Sequence, residues 1–97
     1  MTTGANQPAI AALPGSELVG KGIADLEDGV ESVESLLVSI GAPRLAKLGL
    51  AIPPPISTPE QRLYARLAAD DPDAAHSSYN ALVRRLVSFE RAAECAS

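Results

Sequence analysis

The last third of the chain constrains everything before it. Ala75, Tyr79, Leu82, Leu86, Phe89, Ala93 and Ala96 recur in alternating steps of four and three. That spacing places all of them on one stripe of an α-helix. The segment from Asp71 to about Cys95 therefore reads as one long amphipathic helix, about 24 residues and roughly 36 Å. Val83 and Val87 widen the apolar strip beyond the seam. A strip this long needs a cover, supplied by the same chain, by a second copy of it or by a partner protein.

The preceding segment offers the first part of that cover. Thr58-Pro59-Glu60-Gln61 reads as a helix start, with Thr58 as N-cap, Pro59 at the first helical position and Gln61 at the capping-box position. Leu63, Tyr64, Leu67 and Ala68 form its apolar face, and Asp70 ends it. Asp71 then caps the long helix, with Pro72 at its first position. So short a connection predicts an antiparallel hairpin of the two helices. The segment 51–57 before them contains Pro53-Pro54-Pro55, a stiff connector that favours polyproline II.

The first half of the chain reads as shorter helices. Residues 1–13 form a small, polar tail that Ile10 and Leu13 can anchor. Pro14-Gly15 breaks the tail, and Ser16 is expected to cap a first helix with Leu18, Val19, Ile23 and Leu26 on one face. Gly20 and Gly22 weaken it by roughly 1 kcal/mol each relative to Ala, and allow another helix to approach closely. Asp28-Gly29 ends it. Ser32 caps a second helix, buried along Val33, Leu36, Leu37 and Ile40, which Gly41 is expected to stop. Pro43 then opens a very short third helix, with Leu45 and Leu48 inward and Gly49 at its close. The expectation is an all-α fold: one domain over 14–97, a small bundle of four to five helices, divided into a short-helix half (14–50), the connector and the hairpin (58–96).

Composition supports that reading. The chain has 97 residues, enough for one modest core, and its 46% apolar content comes mainly from Ala, Leu and Val, with no Trp. A single cysteine, Cys95, rules out an internal disulfide. With no basic, apolar leader at the N-terminus and no run near the roughly 20 apolar residues that span a bilayer, a soluble cytoplasmic protein is expected, with no membrane partner. The net charge of −4 is uneven. Up to Ala42 six acids face one base, and from Pro43 onward seven bases face six acids. A mildly acidic chain argues against broad nucleic-acid binding, which relies on neutralising phosphates.

Several motifs suggest chemistry without completing it. Gly15 to Lys21 matches seven positions of a phosphate-binding loop, but Gly22 stands where Ser or Thr should follow and Glu17 sits among the would-be phosphates. Ser32 to Leu50 can be laid over a helix-turn-helix with Gly41 in the turn, yet Lys47 falls at an apolar position and Arg44 is its only other base. Asp73 and His76 share a helical face, but too few further ligands accompany them for a metal. Ser77 and Ser78 cannot meet their neighbour His76 on a helix, and Cys95 lacks a base beyond Arg91. No cofactor, metal or catalytic residue is expected.

The arginines are the remaining candidates. Arg66 can pair with Asp70 and Arg91 with Glu94, one turn apart. Arg62, Arg84 and Arg85 lack local acids, so they pair with the acidic first half of the chain or meet an anionic partner. Arg62, Arg84, Arg85 and Arg91 are thus the candidate partner-binding residues. The chain reads as a small interaction or regulatory protein (an adaptor, a regulator or an inhibitory partner). Small helical antitoxins share its size and acidity, a likeness of class without a matched motif. Its partner is another protein or a second copy through the C-terminal helix. The alternative is a nucleic-acid-binding regulator that uses the same arginines. If Leu86 lies under cover, Leu86→Ala costs about 2–5 kcal/mol in denaturant titration.

Overall fold

The computed structural model describes residues 13–96. The described residues form four helices: α1 (Ser16–Glu27), α2 (Val33–Lys47), α3 (Pro59–Asp70) and α4 (Ala75–Ala96). There is no strand among the described residues. The all-α class is as expected; the described residues form four helices and no fifth. The tail before Leu13, with Ile10, lies outside the described residues, whereas Leu13 itself is partly buried against the core.

The centre is α2, not the C-terminal helix. It packs on all three others, most extensively on α1. Leu36, Leu37, Val38 and Leu45 are fully buried, and Ser35, Ser39, Gly41 and Ala42 are buried with them. Burial on nearly every side marks a helix enclosed by its neighbours. Ser32 caps it as expected: its hydroxyl accepts from the Ser35 amide at 3.0 Å, and the Ser35 hydroxyl accepts from the Ser32 amide at 2.7 Å. The Ser32 hydroxyl also donates to Asp25 at 2.7 Å, where Lys21 donates too, at 2.7 Å. These two bonds, Lys21's first, hold the Asp25 carboxyl below its usual range. The end of α1 is thereby tied to the start of α2.

Gly41 does not stop this helix. It is helical and buried, and α2 runs on through Pro43 to Lys47. The expected short third helix is the last part of α2. Pro43 has no N–H to offer the Ser39 carbonyl, a real cost inside a helix. Continuing nonetheless buries Ala42 and Leu45, and a buried leucine alone offsets about 1.5–3 kcal/mol. The true stops are Gly29 (φ 70) and Gly49 (φ 98). Val30 donates to the Asp25 carbonyl and Gly29 to that of Leu26; Leu50 donates to Leu45 and Gly49 to Ala46. Both sets are Schellman closures, which need a left-handed residue.

The other helix starts depart from expectation. Ser16 lies inside α1, and the N-cap is Gly15, at φ 82. A side chain at 15 would also meet the Arg85 carbonyl at 3.1 Å. Thr58 is the N-cap of α3 but is left-handed (φ 45), so its hydroxyl donates to the Ser57 carbonyl and the expected capping box does not form. Pro59 does sit at the first helical position. Asp71 accepts from the Asp73 and Ala74 amides at 3.2 and 3.3 Å, closing a turn over 72–74; α4 begins only at Ala75. The connector is pinned, with the Ile56 amide donating to the buried Ser39 hydroxyl at 3.0 Å. On α4, Ala75, Leu86, Phe89 and Ala93 are buried, Tyr79 and Leu82 are partly so, and Ala96 is exposed.

The two helix-weakening glycines of α1 have opposite roles. A Cβ on Gly22 would run into the Glu34 carbonyl and Val38 of α2. A Cβ on Gly20 meets nothing within 4 Å. Gly20→Ala should therefore raise stability by about 1 kcal/mol, the helix-propensity gain. Gly22→Ala should lower it by more than that gain, because the obstacle is backbone. Urea titration of the two variants, side by side, checks the sign of each.

Candidate functional site

The long helix α4 sorts its side chains into three faces. The first is the core face already described. The second is the outer face with Ala81, Arg84, Arg85 and Ser88, which opposes Pro14 and Gly15 across a shallow groove of about 420 Å³. The third looks toward α2, where Ile40, Gly41 and Pro43 meet Val83, Val87 and Glu90 around a groove of about 320 Å³.

The candidate arginines divide between these settings. Arg62, on α3, is engaged within the chain: it reaches Glu31 at 3.2 Å and the Ser57 carbonyl at 3.0 Å. Its partner is one of the acids of the first half, so part of the charge asymmetry is satisfied internally. Both ends of the pair are substantially exposed, which keeps its contribution to stability small. Arg84, Arg85 and Arg91 are exposed and have no ion pair among the described residues. Arg91 does not take Glu94; that carboxylate bonds Arg44 at 3.0 Å, across from α4 to α2. Asp70 and Arg66 form no ion pair either; both are exposed, and water serves them as well.

The motifs with incomplete chemistry take ordinary structural roles. Gly20 and Lys21 lie within α1, with Lys21 bound to Asp25 and 3.7 Å from Glu34, so Gly15 to Lys21 forms no phosphate-cradling loop. The helix-turn-helix overlay fails because α2 has no turn at Gly41. His76 shares a 3.2 Å contact with Asn80. Among the described residues, no group of three or more His, Cys, Asp and Glu could hold a metal ion. Cys95 is exposed and free. No helix among the described residues is long and apolar enough to cross a membrane.

On the third face Glu90 went unread in the sequence, and Gly41 was read there as a helix stop. Glu90 is only 4% exposed, yet it has no hydrogen bond or ion pair among the described residues. Burial pushes its carboxyl above the usual range, and the nearby Arg44 charge partly opposes this. Gly41 makes room for it: a Cβ there would lie 2.8 Å from the Glu90 carboxylate and 3.0 Å from Leu86. The signal was present in the spacing. Glu90 is four residues after Leu86 and three before Ala93, and Gly41 is four from both Leu37 and Leu45.

Comparison with family models, with curated proteins and with solved structures finds no match for this chain.

The raised Glu90 carboxyl has a definite sign in the pH dependence. Between the ordinary glutamate pKa, about 4.3, and the raised folded value, the folded chain holds a proton that the unfolded chain has lost. Stability therefore falls as pH rises through that window and stays lower above it. Glu90→Gln should stabilise the chain at pH 7, by an amount that shrinks to nothing as pH is lowered below the ordinary glutamate range. Urea titrations of dilute protein at several pH values read this directly.

Proposed function

We propose that this chain is a small, non-catalytic interaction module that assembles with or regulates an acidic protein through the outer face of α4. One observation carries the reading. Arg84 and Arg85 are adjacent, exposed, without an ion-pair partner among the described residues and on one groove. Lys21, Arg44 and Arg62 are paired, and Lys47, Arg66 and Arg91, unpaired among the described residues, have no base next to them in the chain. The shallow groove beside them gives a partner side chain somewhere to seat. Arginine forks suit bidentate carboxylates, so clustered Asp and Glu on the partner match this face. We read α3 and α4 as an antiparallel hairpin that presents it. The short turn over 72–74 and the tilted contact of Tyr64 and Tyr79, with ring centroids 5.8 Å apart, support that reading.

An acidic partner suits the chain better than nucleic acid. The exposed acids Glu17, Glu27 and Asp28 have no ion pair among the described residues, and the net charge is −4. A phosphate backbone, which carries its charge past the whole molecule, would meet that repulsion along its length, whereas a compact acidic patch would meet only the outer face of α4.

The test is affinity capture with the full chain, read by mass spectrometry. A partner with an acidic surface should be retained by wild type and by Arg62→Ala, and lost, at least tenfold by rough expectation, from the Arg84→Glu/Arg85→Glu double variant. Equal capture by all three sinks the reading. Salt-dependent retardation of DNA or RNA that disappears in the double variant would replace it with nucleic-acid binding.

A further inference from the structure

The third face of α4 holds a demand that this chain does not meet alone. Ile40, Val83 and Val87 are only partly covered, and Glu90 lies beneath them without a hydrogen bond or ion pair among the described residues. No fully buried side-chain oxygen is left unsatisfied, so the Glu90 carboxylate opens onto the groove. Arg44 also lines the groove and its charge acts on Glu90, but its guanidinium is bonded to Glu94 at 3.0 Å. An occupant with apolar surface at Val87 and a second positive charge at Glu90 therefore fits best.

Helix geometry shows where such a charge can come from. At about 100° per residue, Val87 marks the middle of the face. Val83 and Glu90 then lie about 40° and 60° to one side, and Arg91 and Arg84 about 40° and 60° to the other. Two copies of α4 can pair across this face in two ways. In an antiparallel pair each flank meets itself. Arg84 then stands opposite Arg91 twice over, and Glu90 faces only Val83. In a parallel pair each flank meets the other at equal height. Glu90 of one copy then faces Arg91 of the other, and Val83 is covered by the aliphatic stem of Arg84.

We propose that α4 pairs in parallel with α4 of a second copy of this chain, Val87 against Val87, with Arg91 of each copy on Glu90 of the other. The contact is isologous, so it closes at two copies and does not propagate. A foreign helix would need a base for Glu90 and an acid for Arg91 at the same height, and a second copy has that arrangement by construction. The pairing engages the stem of Arg84, which also lines the outer groove, but leaves Arg85 free, about 160° from Val87. Arg85→Glu alone therefore disturbs the acidic partner and not the dimer.

Sedimentation equilibrium of the full chain tests this, together with crosslinking through Cys95. Wild type should form a reversible dimer. Arg91→Glu should weaken it by at least about tenfold, and adding Glu90→Arg should restore it by exchanging the pair. Because Glu90→Arg alters a buried site, Val87→Asp serves as a second variant. It should be monomeric while keeping its helical circular dichroism. Cys95, exposed at the far end of α4, reports the direction. A short bis-maleimide should link parallel copies, whereas in an antiparallel pair the two thiols stand about 24 Å apart along the helices. A wild type that stays monomeric at hundreds of micromolar overturns the proposal. So does a dimer indifferent to Val87→Asp, or one that the short reagent cannot link.

Discussion

The burial of α2 is the constraint on which the rest of the structure depends. Its leucines and Val38 reach zero exposure only because three other helices lie against it. The closest approach is that of α1, at Gly22, where the absence of a side chain lets one backbone rest on the other. In a core of small aliphatic side chains with one phenylalanine, stability comes from close packing of many modest contacts. Each glycine at a crossing therefore governs several side chains at once. Gly41 does the same for α4, admitting Leu86 and Glu90.

Three serines let α2 be buried without leaving polar atoms stranded. Ser32 closes the N-terminus and reaches back to Asp25, Ser35 completes the cap, and Ser39 both donates to the Ser35 carbonyl and receives the Ile56 amide. A hydroxyl can donate and accept together, so one small side chain joins two elements. The same spine sets the attitude of α4. With Gly41 and Ile40 beneath it and the Arg44–Glu94 pair near its end, α4 is held so that its arginines and its half-covered valines point away from the core.

Much of this was legible in the residues, and the failures share a cause. The stripe of α4 and the cap at Ser32 were visible because a half-buried helix shows its period and a cap is a local motif. Gly29 and Gly49 were visible as stops because each follows the last apolar residue of its helix. Gly41 is chemically the same signal, but the apolar pattern continues past it to Leu45, and burial there decided the matter. The centre of the fold was misjudged for a related reason. A helix enclosed on all sides loses its stripe, so α2 looked less organised than α4 although it is the more buried. Thr58 and Ser16 failed as caps because a side-chain cap needs an extended backbone at that residue. Thr58 is left-handed and Ser16 is already helical. Of the candidate site, the arginines were found by their lack of local acids. Their division into engaged and free depended on Arg62 reaching Glu31 from another element, which spacing does not show. Glu90 was passed over because a charged residue within an apolar stripe is easily assigned to the edge.

The position of α3 between α2 and α4 has a consequence for cooperativity. Leu63 is its only fully enclosed side chain, and most of its surface faces water. Leu63 pins its body, and the Ile56–Ser39 bond and the Asp71 turn pin its two ends. The helix packs on both α2 and α4, and α4 leans on it as well as on α2, so α3 cannot lift away without removing part of the cover of α4. The Tyr64–Tyr79 contact lies on that shared seam, so the two helices are coupled in any opening.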